Sequence, residues 1–346
     1  MDINIPKRKY NTFFQCDPAH MIVKTLIIDY IDINNINKTI NFRENSPIKL
    51  NNIKKINNVK YGANNNYKDI TKIFLSKVKY NVIPCICKKG GGFFSCCSVR
   101  LTYIINYFNK HKKYPIHVIS KDQYRKYLRP GIDKDGDSII SNMFADYTNN
   151  IHINFTKNID YHWTHQYNIY KMLNFNNLNP FIEKYFSPSK TTQEIIKTIE
   201  KKYNIDYKNT CVIFYRGGDK WKETKLAEYS EFFERADEIK KNNPNIQFLI
   251  QSDETNFINE SLKRYTNSFY FKDEIRHMNN RKTVVDNVKF KNGDNFTYVQ
   301  NYLAITIIMS KCKYIICPSG NCSIWIVFYR KHAENVIQYK NGKWIT

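Results

Sequence analysis

Residues 210–225, TCVIFYRGGDKWKETK, concentrate the residue types that handle phosphate. A β-prone run, residues 212–215, stops abruptly at Arg216, Gly217, Gly218, Asp219 and Lys220. Arginine offers a planar fork of donors that matches phosphate oxygens, and glycine lets the backbone approach a ligand closely. A strand that ends this way is either a phosphate-handling loop at the carboxyl edge of an α/β sheet or a solvent-exposed turn carrying a charge pair. The elements around it must decide.

From residue 210 onward apolar runs alternate between strand and helix patterns. Strands are expected at 210–215, 246–251, 268–271 and 314–317, and helices at 229–242, 255–264, 298–310 and after Ser319. That rhythm predicts a parallel sheet with helices on both faces. Three strand ends are polar: Arg216 to Lys220, then Ser252-Asp253-Glu254, then Ser319, Gly320, Asn321, Cys322 and Ser323 after Pro318. In a parallel sheet these ends share one edge, where ligands bind, and the convergence favours the phosphate loop.

Upstream, residues 80–86 read as a strand, followed by Lys88-Lys89-Gly90-Gly91-Gly92 and a helix over 95–110 with Val99, Tyr103, Ile104, Tyr107 and Phe108 on one face. A second strand at 115–119 completes a βαβ unit. Its glycine turn opens a helix that is a ready ligand site, or it simply makes a tight turn, because GGGFFS is not the dinucleotide fingerprint. Residues 121–209 carry weaker signals. Asp133-Lys134-Asp135-Gly136-Asp137 reads as a solvated turn, since its glycine is misplaced for a calcium loop. His162-Trp163-Thr164-His165 has no third ligand at a telling spacing and suggests packing or an acceptor contact. Residues 186–192 read as a linker into a helix at 193–202. Residues 1–80 differ: short alternating runs at 21–31, 39–42 and 56–61, separated by Asn-rich turns, predict a small β-rich accessory region.

The 346 residues have ample length for a buried core, and a hydrophobic share of 42% with 15% aromatics excludes a disordered chain. The net charge of +23 permits an anionic ligand. It does not by itself indicate nucleic acid, because only 11 of the 54 basic residues are Arg and the lysines are dispersed. Asn, Ile, Lys and Tyr share AT-rich codons, and the composition suits an AT-rich giant DNA virus. Nine cysteines, several inside apolar runs, suggest reduced, buried thiols. Cys85-Ile86-Cys87 with Cys96-Cys97 lacks the spacing of a zinc ribbon, and no metal is expected. The first ten residues lack signal-peptide architecture, and no apolar run is long enough to span a bilayer, so a cytoplasmic location (host cytoplasm or virion if viral) is expected.

The three polar strand ends and the glycine turn resemble the fucosyltransferase-type sugar transferases, including the α1,2-, α1,6- and protein O-fucosyltransferases. The resemblance runs through Phe214-Tyr-Arg216-Gly-Gly-Asp219-Lys220, residues 90–100, and Ile308-Met-Ser-Lys-Cys continuing to Trp325, and covers roughly residues 80–335. It implies an α/β, GT-B-like fold of two facing Rossmann-like domains: an acceptor-side domain over 81–205 and a nucleotide-sugar domain over 206–346, behind the 1–80 extension. It implies an inverting, metal-independent transfer of fucose or a similar sugar from a nucleotide sugar such as GDP-fucose to a glycan or protein hydroxyl, with no cofactor. Arg216 would neutralise the leaving phosphate, assisted by Lys220 and by Ser319, Gly320, Asn321 and Ser323. Gly217 and Gly218 would admit the donor, and Asp253 or Glu254 would face the nucleoside. Glu223 would be the base, with Asp219 instead positioning Arg216. Gly91, Gly92, Phe93 and Arg100 would line the interdomain cleft. The sequence departs from the pattern where Phe214 replaces the family histidine, Gly217 a second arginine, and Ala304 and Ile305 an aspartate of some relatives. A non-catalytic nucleotide- or sugar-binding member of the same fold is the alternative, and a basic nucleic-acid-binding protein is a third.

Overall fold

The computed structural model of the chain describes residues 3–5, 7, 9–14, 16–19, 21–71, 73–74, 85–88, 91–115, 118–146, 157–275, 277–278 and 294–346. The chain divides into two compact units, Met1–Pro84 and Cys85–Thr346.

In the first unit, β1 (Ile3–Ile5) pairs antiparallel with β4 (Ile48–Leu50), and a helical turn α1 (Tyr10–Phe14) follows β1. The strands β2 (Thr25–Asp32), β3 (Asn37–Arg43), β5 (Ile53–Ala63) and β6 (Asn66–Asp69) form an antiparallel sheet in the order β3-β2-β5-β6. Alternation buries one face: Leu26 lies opposite Tyr61 and Ile28 opposite Val59, and all four are buried. Asn35, Asn64 and Asn65 adopt positive φ, so the Asn-rich segments make the turns.

The second unit opens with β7 (Cys85–Ile86), α2 (Phe93–His111) and β8 (Val118–Ile119), where β7 and β8 pair in parallel. This is the expected βαβ order. Residues 80–84, 89–90 and 116–117 of that expectation lie outside the described residues. Among the described residues, the parallel sheet of this stretch has two strands. Three helices follow: α3 (Gly136–Met143), α4 (Phe175–Phe186) and α5 (Lys190–Tyr203). The acidic turn before α3 differs from the solvated turn expected. Asp135 caps the helix by accepting from the Asp137 amide, Asp133 pairs with Arg129 at 2.8 Å, and Asp137 accepts the Ser120 amide.

The remainder alternates as the periodicity predicts: β9 (Thr210–Tyr215), α6 (Tyr229–Asn242), β10 (Gln247–Ser252), α7 (Thr255–Arg264), β11 (Ser268–Tyr270), α8 (Asn295–Lys311), β12 (Tyr314–Pro318) and α9 (Asn321–Arg330). Two further strands, β13 (Val336–Lys340) and β14 (Lys343–Ile345), complete a six-stranded sheet in the order β11-β10-β9-β12-β13-β14, parallel except for the last pair. Every residue of β9 is buried, which identifies a central strand covered on both faces. Its side chains alternate between two cores. Val212 and Phe214 pack with residues of α8 and α9, and Cys211, Ile213 and Tyr215 pack with residues of α6 and α7.

The order of strands reverses beside β9. The chain steps outward through β10 and β11, and α8 then carries it back to β12 on the other side of β9. Adjacent βα loops at such a reversal diverge to opposite faces and leave a crevice at the carboxyl edge. In the α8–α9 core, Trp325 is fully buried, donates from Nε1 to Ser98 Oγ of α2 at 2.9 Å and packs 4.7 Å from the Phe186 ring of α4. Trp325→Ala is therefore expected to cost about 3–5 kcal/mol. Urea unfolding reads this as a lowered midpoint, and an unchanged midpoint would exclude Trp325 from the core's support.

Candidate functional site

The β9–β12 crevice is shaped by acidic residues at the end of β10. Asp253 Oδ1 accepts the Gly217 amide at 3.1 Å, and its Oδ2 lies 3.2 Å from Arg216 Nη1. Asp219 Oδ1 lies 3.2 Å from Arg216 Nη2. The guanidinium is thus held between two carboxylates, while its Nε is buried without a hydrogen-bond partner among the described residues. Burial is the largest influence and works against its charge, but the Asp253 carboxylate and the smaller contributions of Cys322, Tyr302 and Tyr298 together outweigh it and hold the group charged, well above its ordinary value. The two glycines follow from the same crowding. A Cβ on Gly217 would overlap Glu254 Oε1, and one on Gly218, whose φ is +25°, would overlap Asp253 Oδ2. Glu254 in turn accepts from the Tyr229 hydroxyl.

After Asp219 the chain makes one 3-10 turn, Lys220–Lys222, that ends at Glu223. Lys220 Nζ lies 2.5 Å from Glu223 Oε2, and the same oxygen accepts from the Tyr167 hydroxyl at 2.6 Å. Burial raises the proton affinity of Glu223, but the hydrogen bonds from Lys220 and Tyr167 and the charges of Lys220 and Arg216 outweigh it. The carboxyl titrates below its ordinary value. The ion pair is therefore intact at neutral pH and is lost only as the pH falls through that lowered range.

On the β12 side, Gly320 has φ +153°, a conformation that favours glycine, and the position a Cβ would take is 3.9 Å from Lys220 Cε. The loop is tied down from behind. Ser319 donates from both its amide and its hydroxyl to the Tyr339 carbonyl, at 2.8 and 2.9 Å. The Gly320 amide donates to the Tyr170 hydroxyl at 3.0 Å, and Gln338 Nε2 donates to Ser319 Oγ at 2.8 Å. The amides of Asn321 and Cys322, the first of α9, have no acceptor among the described residues, as is usual at a helix N-terminus.

These groups meet at a cavity of about 610 Å³. Arg216, Asp219, Lys220, Glu223 and Asn321 line it together with Gly91 and Gly92 of the glycine turn and Phe93 at the start of α2. The other expected site residues lie off its wall. Gly217, Gly218, Asp253 and Glu254 form the packed support behind Arg216, and Ser319 and Gly320 spend their amides on the protein. Ser323 is buried in α9. Arg100, expected at the cleft, is instead fully buried in α2 and bonded through Nη1 to Ser120 Oγ at 2.5 Å, because it lies on the helix face that packs inward.

Several lining residues went unread in the sequence. Tyr298 and Tyr302 are four apart on α8 with rings 5.8 Å apart and nearly parallel, a helical spacing that was legible. Trp163, 40% exposed, lies in the 162–165 run read as a packing or acceptor contact, whereas Tyr167, from the same 3-10 turn, Trp163–Tyr167, has no periodicity to reveal it. Cys322 shares the cavity, and burial pushes its thiol up despite Arg216. Among the described residues, no group of three or more His, Cys, Asp or Glu side chains is placed to hold a metal ion, and no helix is long and apolar enough to cross a membrane.

No protein-family model matches the chain, and no curated protein matches it. Among solved structures it is similar to NodZ alpha-1,6-fucosyltransferase soaked with GDP-fucose, at 9% identity and a TM-score of 0.42, over 75% of this chain and 97% of that one. It is also similar to fucosyltransferase NodZ from Bradyrhizobium, at 11% identity, TM-score 0.41 and coverage of 75% and 96%. The same coverage, with 10% identity and a TM-score of 0.41, holds for NodZ alpha-1,6-fucosyltransferase co-crystallized with GDP. At such identity and overlap the likeness bears on neither chemistry nor substrate.

The crowding at Gly217 has a direct consequence. Gly217→Ala is expected to lower stability by about 1–3 kcal/mol, because the methyl overpacks against Glu254. Adding Glu254→Ala should recover part of that loss, with a coupling of about 0.5–3 kcal/mol in a double-mutant cycle. Strictly additive losses in urea unfolding would show that the carboxylate is not the obstacle.

Proposed function

We propose that this protein is a glycosyltransferase that moves a sugar from a nucleotide-sugar donor to an acceptor hydroxyl. One observation carries the reading: Arg216, Lys220 and the open amide end of α9 border the same cavity as the carboxylate of Glu223. Two cations and a helix N-terminus suit a diphosphate, and a carboxylate beside them suits a proton acceptor. The place is also where an open α/β sheet binds ligands, at the reversal of strand order.

In this reading the acceptor oxygen attacks the anomeric carbon from the face opposite the diphosphate. The new carbon–oxygen bond forms as the bond to the phosphate oxygen breaks, with inversion. The electron pair leaves with the nucleoside diphosphate, whose growing charge meets Arg216, Lys220 and the amides of Asn321 and Cys322. The acceptor proton passes to Glu223. These side chains supply the countercharge, so the transfer is assigned no metal. Asp219 and Asp253 orient Arg216, and Glu254 supports the loop instead of contacting the nucleoside. Residues 206–346 then hold the donor, fucose on GDP or a similar nucleotide sugar, and residues 81–205 face a glycan or protein acceptor.

A second reading is a member that binds the nucleotide sugar without turnover. It is favoured by Phe214, which stands one strand residue before the loop, is buried at 1% exposure and offers no polar contact.

Thermal shift with GDP-, UDP- and dTDP-sugars, each with and without a divalent metal, followed by assays of hydrolysis and transfer, separates the two. Arg216→Ala is expected to reduce kcat by about 10²–10³-fold. Binding with no hydrolysis or transfer in the unmodified protein would select the non-catalytic reading, and no stabilisation by any of these sugars would sink both.

A further inference from the structure

Glu223 stands at the end of a single 3-10 turn, followed by residues without regular structure up to α6. A carboxylate on such a segment needs external support to hold a fixed place in a cavity. Lys220 cannot supply it, because it rides on the same turn three residues earlier. The other partner, Tyr167, is 56 residues away in sequence and belongs to a braced segment. Gln338 of β13 accepts the Tyr170 amide at 2.9 Å and donates to the Asn168 carbonyl at 2.9 Å, and Gln166 is buried. The Tyr167 hydroxyl therefore ties Glu223 to the sheet.

Both contacts fall on one oxygen. Oε2 receives Lys220 and Tyr167, whereas Oε1 has no hydrogen-bond partner among the described residues. Resting on the transferase reading above, we propose that Tyr167 is the positioning residue of the transfer: it clamps Oε2 so that Oε1 is the oxygen that receives the acceptor proton. Lys220 serves two anions in turn. When it swings to the diphosphate, Tyr167 is the donor that remains on Glu223, and the loss of Lys220 makes the carboxylate a stronger base at the moment it is needed. The proton leaves the acceptor hydroxyl for Oε1 as that hydroxyl's oxygen bonds to the anomeric carbon and the electron pair departs on the diphosphate.

The groups facing Glu223 are Lys220 on its own turn, Arg216 from the loop after β9, and the neutral Tyr167 hydroxyl from the opposite wall, which in turn feels Asp219. Lys126, Tyr298, Tyr302 and Cys322 line the same cavity. Burial and the neighbouring Glu223 both raise the Tyr167 phenol, so it remains a donor throughout the neutral range. Removing that donor must raise the Glu223 carboxyl, since the hydrogen bond favours its charged form.

Tyr167→Phe keeps the ring and deletes only the clamp. In transfer assays across pH it should lower kcat by about 10- to 100-fold with KM for the donor little changed, and it should move the acid limb of kcat/KM to higher pH. Independently of turnover, isotope-edited infrared titration of the glutamate carboxylates, with Glu223→Gln to assign the band, should show Glu223 titrating at higher pH in the Phe variant. A band and an acid limb that both stay in place would overturn the proposal, as would a kcat within twofold of the unmodified protein. An unmodified protein that transfers no sugar would refute the transferase reading instead, and the infrared titration would still decide whether Tyr167 holds Glu223.

Discussion

The site depends on how closely the end of β10 approaches the end of β9. Asp253 reaches the Gly217 amide with one oxygen and faces Arg216 with the other, so a single carboxylate fixes both the backbone and the guanidinium of the loop. Such an approach is possible only where the loop has no side chains, and Gly217 and Gly218 are the residues whose Cβ positions Glu254 and Asp253 already occupy. The sequence Arg-Gly-Gly-Asp is therefore one packing solution. Its arginine and aspartate carry the charge, and its glycines let the neighbouring strand's acids come near enough to hold it.

That arrangement pairs the charged side chains of the cavity with one another. Arg216 sits between Asp219 and Asp253, and Lys220 sits on Glu223. An entering diphosphate must compete with these carboxylates, and the two cations are not equally able to respond. Arg216 is pinned by two acids and a buried environment, whereas Lys220 has a flexible stem and, among the described residues, one acidic partner. The fixed cation defines a place and the movable one can exchange partners. This asymmetry explains why Lys220 bears on the base as well as on the anion site.

Much of the sheet was legible in the residues. β9, α6 and α7 lie where the apolar periodicity puts them, because long segments buried on one or both faces carry their pattern openly. The hairpin of β13 and β14 was missed although its turn, Asn341-Gly342 with both residues at positive φ, is a strong short-range signal. The strands on either side are short, and lysines obscure their alternation. The acidic run at 133–137 hides a cap in what reads as a solvated turn, since Asp135 looks the same in either setting until the helix after it is known. Tyr167 was not legible at all. Its importance comes from a partner 56 residues away, and a 3-10 turn leaves no period by which to find it.

Arg216 was found for a reason that also explains where it points. Along β9, Val212 and Phe214 face the core of α8 and α9, and Cys211, Ile213 and Tyr215 face that of α6 and α7. Arg216 continues the first of these rows and lines the cavity together with Cys322 of α9 and Tyr302 and Tyr298 of α8. A slip of one residue in the pairing of β9 would exchange the two faces and carry the arginine away from the helix N-terminus. The direct pairing of Ile213 with Ile250 on one side and Ile316 on the other, all three buried, prevents that slip. The apolar residues of the strand thus determine which wall of the crevice receives the charge. The polar residues beyond its end then have a defined surface on which to act.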